Sequence, residues 1–236
     1  MALTRRMFAQ LVASALLLRH LPALAQTPLT VAVGGSPGPN ITQRVVSAGA
    51  PADMLLLAVA PEKLVGLSSF DLSRQTAIPF HDDIRALPKL GRLAGRASTL
   101  SLEALLALKP DLVIDCGNAD ETWLSQARQV SAQTHIPWLL INGELRHTPE
   151  QLRAAGEALG VVSRTAMQAA LARRFIDNAI AFSHTAAANL RFYAARGARG
   201  LETGLQGSLH TEAAELLGLQ PVSYTHLRAH ETVLDL

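Results

Sequence analysis

The chain has 236 residues with 21 Lys and Arg against 19 Asp and Glu, and the first 25 hold three of the basic side chains and no acidic one. The remainder is close to neutral, which excludes the basic face that a nucleic-acid surface requires. Hydrophobic residues make up 49% of the chain and aromatic ones 4%, so the core should be built from Leu, Ala and Val, while the single cysteine, Cys116, rules out an intrachain disulfide.

The N-terminus reads as an export leader over residues 1–25. Arg5 and Arg6 form a positive start, 11–18 form a short apolar core, and Ala23-Leu24-Ala25 supplies a small-x-small cleavage site. The apolar core is too short to span a bilayer. Thr4-Arg5-Arg6-Met7-Phe8 resembles the twin-arginine signal, although Ala9 and Gln10 depart from its ending; an ordinary secretory leader is the alternative. With no cysteine near the cleavage site, the expected product is a soluble periplasmic protein.

A first lobe is expected over residues 26–150. Residues 29–33 read as a strand, and the loop at 34–40 follows. That loop is no nucleotide loop, because two prolines remove N–H donors and no Gly-Lys-Ser/Thr comes after it. Strand 44–47 leads to a helix at 52–58, with Pro51 in its first turn, where a missing N–H costs little. A strand at 63–67 and a polar loop through Pro79, Asp82 and Asp83 come next.

The segment from Ser98 to Asp115 is the most informative. Ser101 is an N-cap, Glu103 answers the positive helix end, and Leu102, Leu105 and Leu106 give one buried stripe. Pro110 ends the helix, and Leu112-Val113-Ile114 reads as a strand buried on both faces. A helix at 121–133 and a strand at 138–141 complete the lobe. The repeated strand–helix order predicts an α/β fold with a Rossmann-like, mostly parallel sheet of about five strands.

Residues 151–189 read as a helical region. From 163 to 189 neither proline nor glycine occurs, and Met167, Ala170, Leu171, Arg174, Phe175, Ile176 and Ile180 space its apolar contacts. A second α/β lobe starts at 190 with a strand at 190–193, a Gly-rich loop at 200–208 and a helix at 209–217 capped by Gly218. One strand and one helix make an incomplete lobe over 190–222, so Phe192, Leu209, Leu216 and Leu217 should stay partly exposed. Residues 223–236 look like a translated sequencing-adapter tail; a divergent native C-terminus is the alternative.

Ser-Leu-Glu-x-Leu-Leu-Ala-Leu-Lys-Pro-Asp-Leu-Val-Ile, from Ser101, closely resembles a signature of periplasmic substrate-binding proteins of ABC importers for iron chelates, haem and cobalamin, the helical-backbone class III group. The likeness runs from about Arg44 to Val222 and is also specific at Trp138–Gly143 and Tyr193–His210. It implies a C-terminally truncated, non-enzymatic, monomeric carrier without a cofactor. Such a carrier clamps a metal chelate, an iron siderophore foremost, between two lobes and delivers it to ABC permease subunits. It also implies that the long helix joins the lobes; periodicity alone fits any packing helix equally.

Ligands of open α/β sheets gather outside the carboxyl ends of strands, and this points to Ser47, Ala50, Pro51, Ser69, Phe70, Cys116, Gly117, Asn118 and Gly143. The resemblance adds Arg92 and Arg96, with Arg74 behind them, as donors to an anionic chelate. Gly207, Ser208 and His210 come from the Gly-rich loop of the second lobe, where His210 could ligate a metal or hydrogen-bond a carboxylate, a histidine satisfied at a helix terminus being the alternative. Glu103 falls where relatives present a glutamate to permease arginines; as a helix N-terminal acid it also answers the dipole. Neither a catalytic set nor a metal site is legible. His81, Asp82 and Asp83 are adjacent loop side chains without diagnostic ligand spacing, and Cys116 lacks a His-Asp partner and is read as packing. The rival is an exported α/β enzyme or cofactor-binding protein, since Rossmann-like lobes carry many chemistries.

Overall fold

A computed structural model describes residues 28–35, 37–73, 80–94, 98–185 and 190–222. The leader with its cleavage site, Arg74, Pro79, Arg96, residues 186–189 of the expected helical region and the tail from Ser223 lie outside the described residues.

The first lobe runs β1 (Thr30–Val33), β2 (Val45–Ser47), α1 (Ala50–Val59), α2 (Asp82–Arg85), α3 (Leu102–Leu108), β3 (Leu112–Gly117), α4 (Glu121–Thr134) and β4 (Trp138–Asn142). The strands form one sheet in the order β1-β4-β3-β2. β2, β3 and β4 are parallel, and β1 pairs antiparallel with the outer side of β4. Among the described residues the sheet thus has four strands, not five. The strand expected at 63–67 does not form: Pro61–Lys63 is a 3-10 turn, and Leu64 and Leu67 make only isolated bridges to Val45 and Lys89. The Val65 N–H bonds the Val45 carbonyl whereas the Leu67 N–H bonds that of Pro88, so the segment serves two partners and no single ladder can grow.

Local signals set the helix ends. The Ser101 hydroxyl accepts the Ala104 N–H at 3.2 Å, and the Asp120 carboxylate accepts those of Thr122 and Trp123 at 2.9 and 3.3 Å. Lys109 and His135 adopt left-handed conformations that stop α3 and α4. At the negative end of α3 the Arg44 guanidinium donates to the carbonyls of Leu108 and Lys109, while Asp111 accepts the N–H groups of Gln43 and Arg44 at 2.8 Å each.

The sheet is buried on both faces. Val45, Ile114 and Ile141 pack against Leu56 and Val59 of α1 and against Leu152 and Leu159 of α5 (Thr148–Leu159). On the other face Val46, Val113, Trp138 and Leu140 pack with Leu105 of α3 and Ala127 of α4. Each such side chain contributes about 1.5–3 kcal/mol by leaving water.

The long helix α6 (Val162–Ser183) has 22 residues and packs along α5. Its buried residues are Thr165, Ala169 and Ile176, whereas Met167, Leu171 and Phe175 of the expected stripe are exposed, Met167 by 71%. The helices approach closely where Gly156 of α5 meets Thr165, since a Cβ on Gly156 would lie 2.0 Å from Thr165 Oγ1.

Beyond α6, β5 (Arg191–Phe192) pairs with β8 (Gln220–Pro221), β6 (Ala195–Arg196) pairs with β7 (Glu202–Thr203), and α7 (Glu212–Leu216) lies between these pairs in sequence. The helix expected from 209 starts at 212, because the Thr211 hydroxyl donates to the Leu205 carbonyl at 2.7 Å and holds 205–211 as a closed loop. Gly218, at φ 83°, follows α7 as expected. Phe192 is half-buried and Leu209 and Leu217 are exposed, but Leu216 is only 4% exposed and belongs to the interior.

Candidate functional site

The parallel strands β2, β3 and β4 end on one edge, and there a cleft of about 970 Å³ opens. One wall comes from the β2–α1 turn, the β3–α4 loop and the end of β4; the other comes from the closed loop at 205–210. Strand ends form this wall because each parallel crossover must leave the sheet at its carboxyl edge, exposing backbone and short polar side chains.

Of the residues expected at a ligand site, Ala50, Pro51, Arg92, Cys116, Gly117, Asn118, Gly207, Ser208 and His210 line this cleft together. Arg92 is exposed, and its backbone is pinned by the Thr99 hydroxyl at 3.0 Å and by the N–H groups of Thr99 and Leu100. Four others sit elsewhere. Ser47 is buried and its hydroxyl donates to the Gly49 carbonyl at 3.0 Å, shaping the turn that carries Ala50 and Pro51. Ser69 is tied to the Asp53 carboxylate, and Phe70 packs on the core. Gly143 stands behind the cleft lining; a Cβ there would lie 2.7 Å from the Gly117 Cα, so its lack of a side chain lets the two loops touch.

Several lining residues carried no signal that single-sequence reasoning used. Asp115, Asp120, Trp123 and Glu144 all face the cleft. Asp120 was detectable as the cap of a helix start, and Trp123 as the residue one turn beyond it. Asp115 was hidden at the end of an apolar strand, where alternation alone could not say that its face opens.

Burial dominates the electrostatics. The Asp115 carboxyl is pushed up to about 6 by burial, against a smaller lowering by the Cys116 N–H. Burial and then the Asp115 charge push the Cys116 thiol up to about 12, so it remains an unreactive thiol. His210 lies below its ordinary value through desolvation and then the nearby Arg196 charge, which leaves a neutral imidazole at neutral pH. Glu103 lies on exposed surface away from the cleft lining. Hydrogen bonds from its own backbone and from Ser101 hold its carboxyl below the usual range.

No family model matches the chain, and no curated protein matches its sequence. Solved structures do match. The chain is similar to an ABC transporter solute-binding protein from Sulfurospirillum deleyianum, at 24% identity and a TM-score of 0.67, covering 79% of this chain and 59% of that one. It is also similar to the periplasmic vitamin B12 binding protein BtuF of Vibrio cholerae, at 18% identity and a TM-score of 0.57 over 81% of this chain and 69% of that one. The periplasmic heme-binding protein RhuT from Roseiflexus matches at 22% and 0.53, over 76% and 65%. The fold is therefore that of the ABC-transporter solute-binding proteins of the haem, vitamin B12 and iron class. This chain spans 59% of the length of the Sulfurospirillum protein.

Proposed function

We propose that this chain is the major part of a periplasmic solute-binding protein. It captures a metal chelate, an iron siderophore foremost, and delivers it to the permease of an ABC importer. The observation that carries this reading is the cleft of about 970 Å³, set between the strand ends of the first lobe and the 205–210 loop of the second segment. That volume fits an organic chelate and far exceeds what a bare ion needs. Residues 26–150 serve as the capture lobe, 151–189 hold the helix that links the lobes, and 190–222 begin the second lobe. Glu103, exposed at the start of α3, serves as the first-lobe contact for permease arginines. The leader at 1–25 directs export to the periplasm.

Arg92 supplies the charge at the rim for an anionic group of the chelate. Calorimetric titration of the full chain with ferric tris-catecholate, ferric tris-hydroxamate, haemin and cobalamin tests the reading. Binding of one class is expected. Arg92→Ala should weaken that class roughly ten- to a hundredfold, the usual worth of a hydrogen bond to a charged group. Failure of all four probes would refute chelate capture; an unchanged dissociation constant in Arg92→Ala would remove the arginine from the site.

A further inference from the structure

The charged lining of the cleft does not match a site built for anions alone. Among the described residues it contributes Arg92 on one side of the balance and Asp115, Asp120 and Glu144 on the other, with His210 neutral. Asp120 is committed to capping α4. Asp115 is different. It sits on the same sheet face as Val113 and Leu140, two residues beyond the last apolar position of that face on β3, and it is 5% exposed. Among the described residues no Lys, Arg or His lies within ion-pair distance of its carboxylate. Trp123, in the first turn of α4, lines the same cleft and is half-buried.

We infer that Asp115 is the specificity-determining residue of the cleft floor and selects cargo bearing a cationic N–H group, an ammonium or a guanidinium. The inference rests on the chelate-capture reading and adds the chemistry of one end of the cargo. A carboxylate has room for several hydrogen bonds, and no side chain among the described residues donates one to Asp115. Water fills the remaining positions only while the cleft is open. A cargo that seats on the floor expels that water and leaves a buried charge, which is costly unless the cargo returns N–H donors and positive charge. A neutral or anionic group at that point meets the full penalty, so discrimination comes from what the floor rejects as much as from what it holds. The Trp123 ring adds a face on which a cation is favoured. Arg92 and Asp115 together then describe an amphoteric cargo, acidic toward the rim and cationic toward the floor.

The test compares two ferric tris-hydroxamates that differ at one group: one carries a free primary ammonium, and the other is the same complex N-acetylated. Both are titrated into the full chain and into Asp115→Asn at pH 7.5, following tryptophan fluorescence. The ammonium complex is expected to bind the wild-type protein about ten- to a hundredfold more tightly than the acetylated one. In Asp115→Asn that preference should vanish while affinity for the acetylated complex holds or rises. Equal affinities in the wild type, or a preference that survives Asp115→Asn, would overturn the inference and leave chelate capture standing. Absence of binding by both complexes would overturn both readings for hydroxamates, so the acetylated complex separates the two failures.

Discussion

Asp115 holds its carboxyl at the end of β3 with a pKa of about 6, against 3.8 for an ordinary aspartate, and the first cause is burial. The folded state therefore binds the proton more tightly than the unfolded chain between these values. The Asp115 contribution to stability is most favourable below pH 4, falls as pH rises toward 6, and carries its full cost above it. That cost is on the order of 3 kcal/mol. Asp115→Asn should accordingly raise stability at pH 7.5 by up to about 3 kcal/mol and leave it nearly unchanged at pH 3.5, as read from urea midpoints. An equal or lower midpoint at pH 7.5 would mean that the ionised carboxyl is compensated in the folded protein. A site residue that destabilises its own scaffold is the pattern expected where function opposes folding.

At the scale of elements, a second buried carboxylate does the opposite. Asp53 on α1 is fully buried and accepts the N–H groups of Ser68 and Ser69 and the Ser68 hydroxyl, each at 2.9 Å. These bonds lock the turn after the irregular 64–67 segment onto α1, so that a stretch without a strand ladder still has a fixed course. Asp53→Ala should cost about 2–4 kcal/mol, because it strands the buried Ser68 N–H and hydroxyl and the half-buried Ser69 N–H. Thermal or urea unfolding checks this, and a loss below ~1 kcal/mol would show that water replaces the carboxylate. The α5–α6 pair follows another rule, close approach: Gly156 lies against Thr165, which is buried on α6 together with Ala169 and Ile176.

For the whole molecule, the open question of packing is how the second segment is held on the first lobe. The Glu212 carboxylate of α7 accepts the Leu145 N–H at 2.6 Å, and that of Glu215 accepts the Gly207 N–H at 2.9 Å. The first bond ties the segment to the turn after β4, and the second shapes the loop that forms the far wall of the cleft. Glu212→Ala should speed limited proteolysis within 190–211 by roughly tenfold, the worth of one hydrogen bond to a charged group. The main unfolding transition of the sheet should stay in place. A cutting rate equal to wild type would show that Leu216 and the apolar contacts of α7 hold the segment by themselves.

Local chemistry was enough to determine the elements of the first lobe. The cap Ser101, the break at Pro110 and the run Leu112–Ile114 act within a few residues, so α3 and β3 were legible from sequence, as were α4 and β4 from their apolar patterns, and so was the sheet edge where a cleft must open. Tertiary structure decided everything that depends on a distant partner. Residues 64–67 read as a strand, yet their N–H groups serve both Val45 and Pro88. The apolar residues Met167, Leu171 and Phe175 read as a buried stripe, yet α6 meets α5 through Thr165 at the close approach to Gly156 and leaves them exposed. Ser47 and Gly143 lie at strand ends, and their neighbours engage them in shaping the turns beside the cleft, whereas Ser69 is tied to Asp53. Asp115 lines the cleft although it is only 5% exposed, and a strand's alternation cannot register which end of a buried face meets an opening.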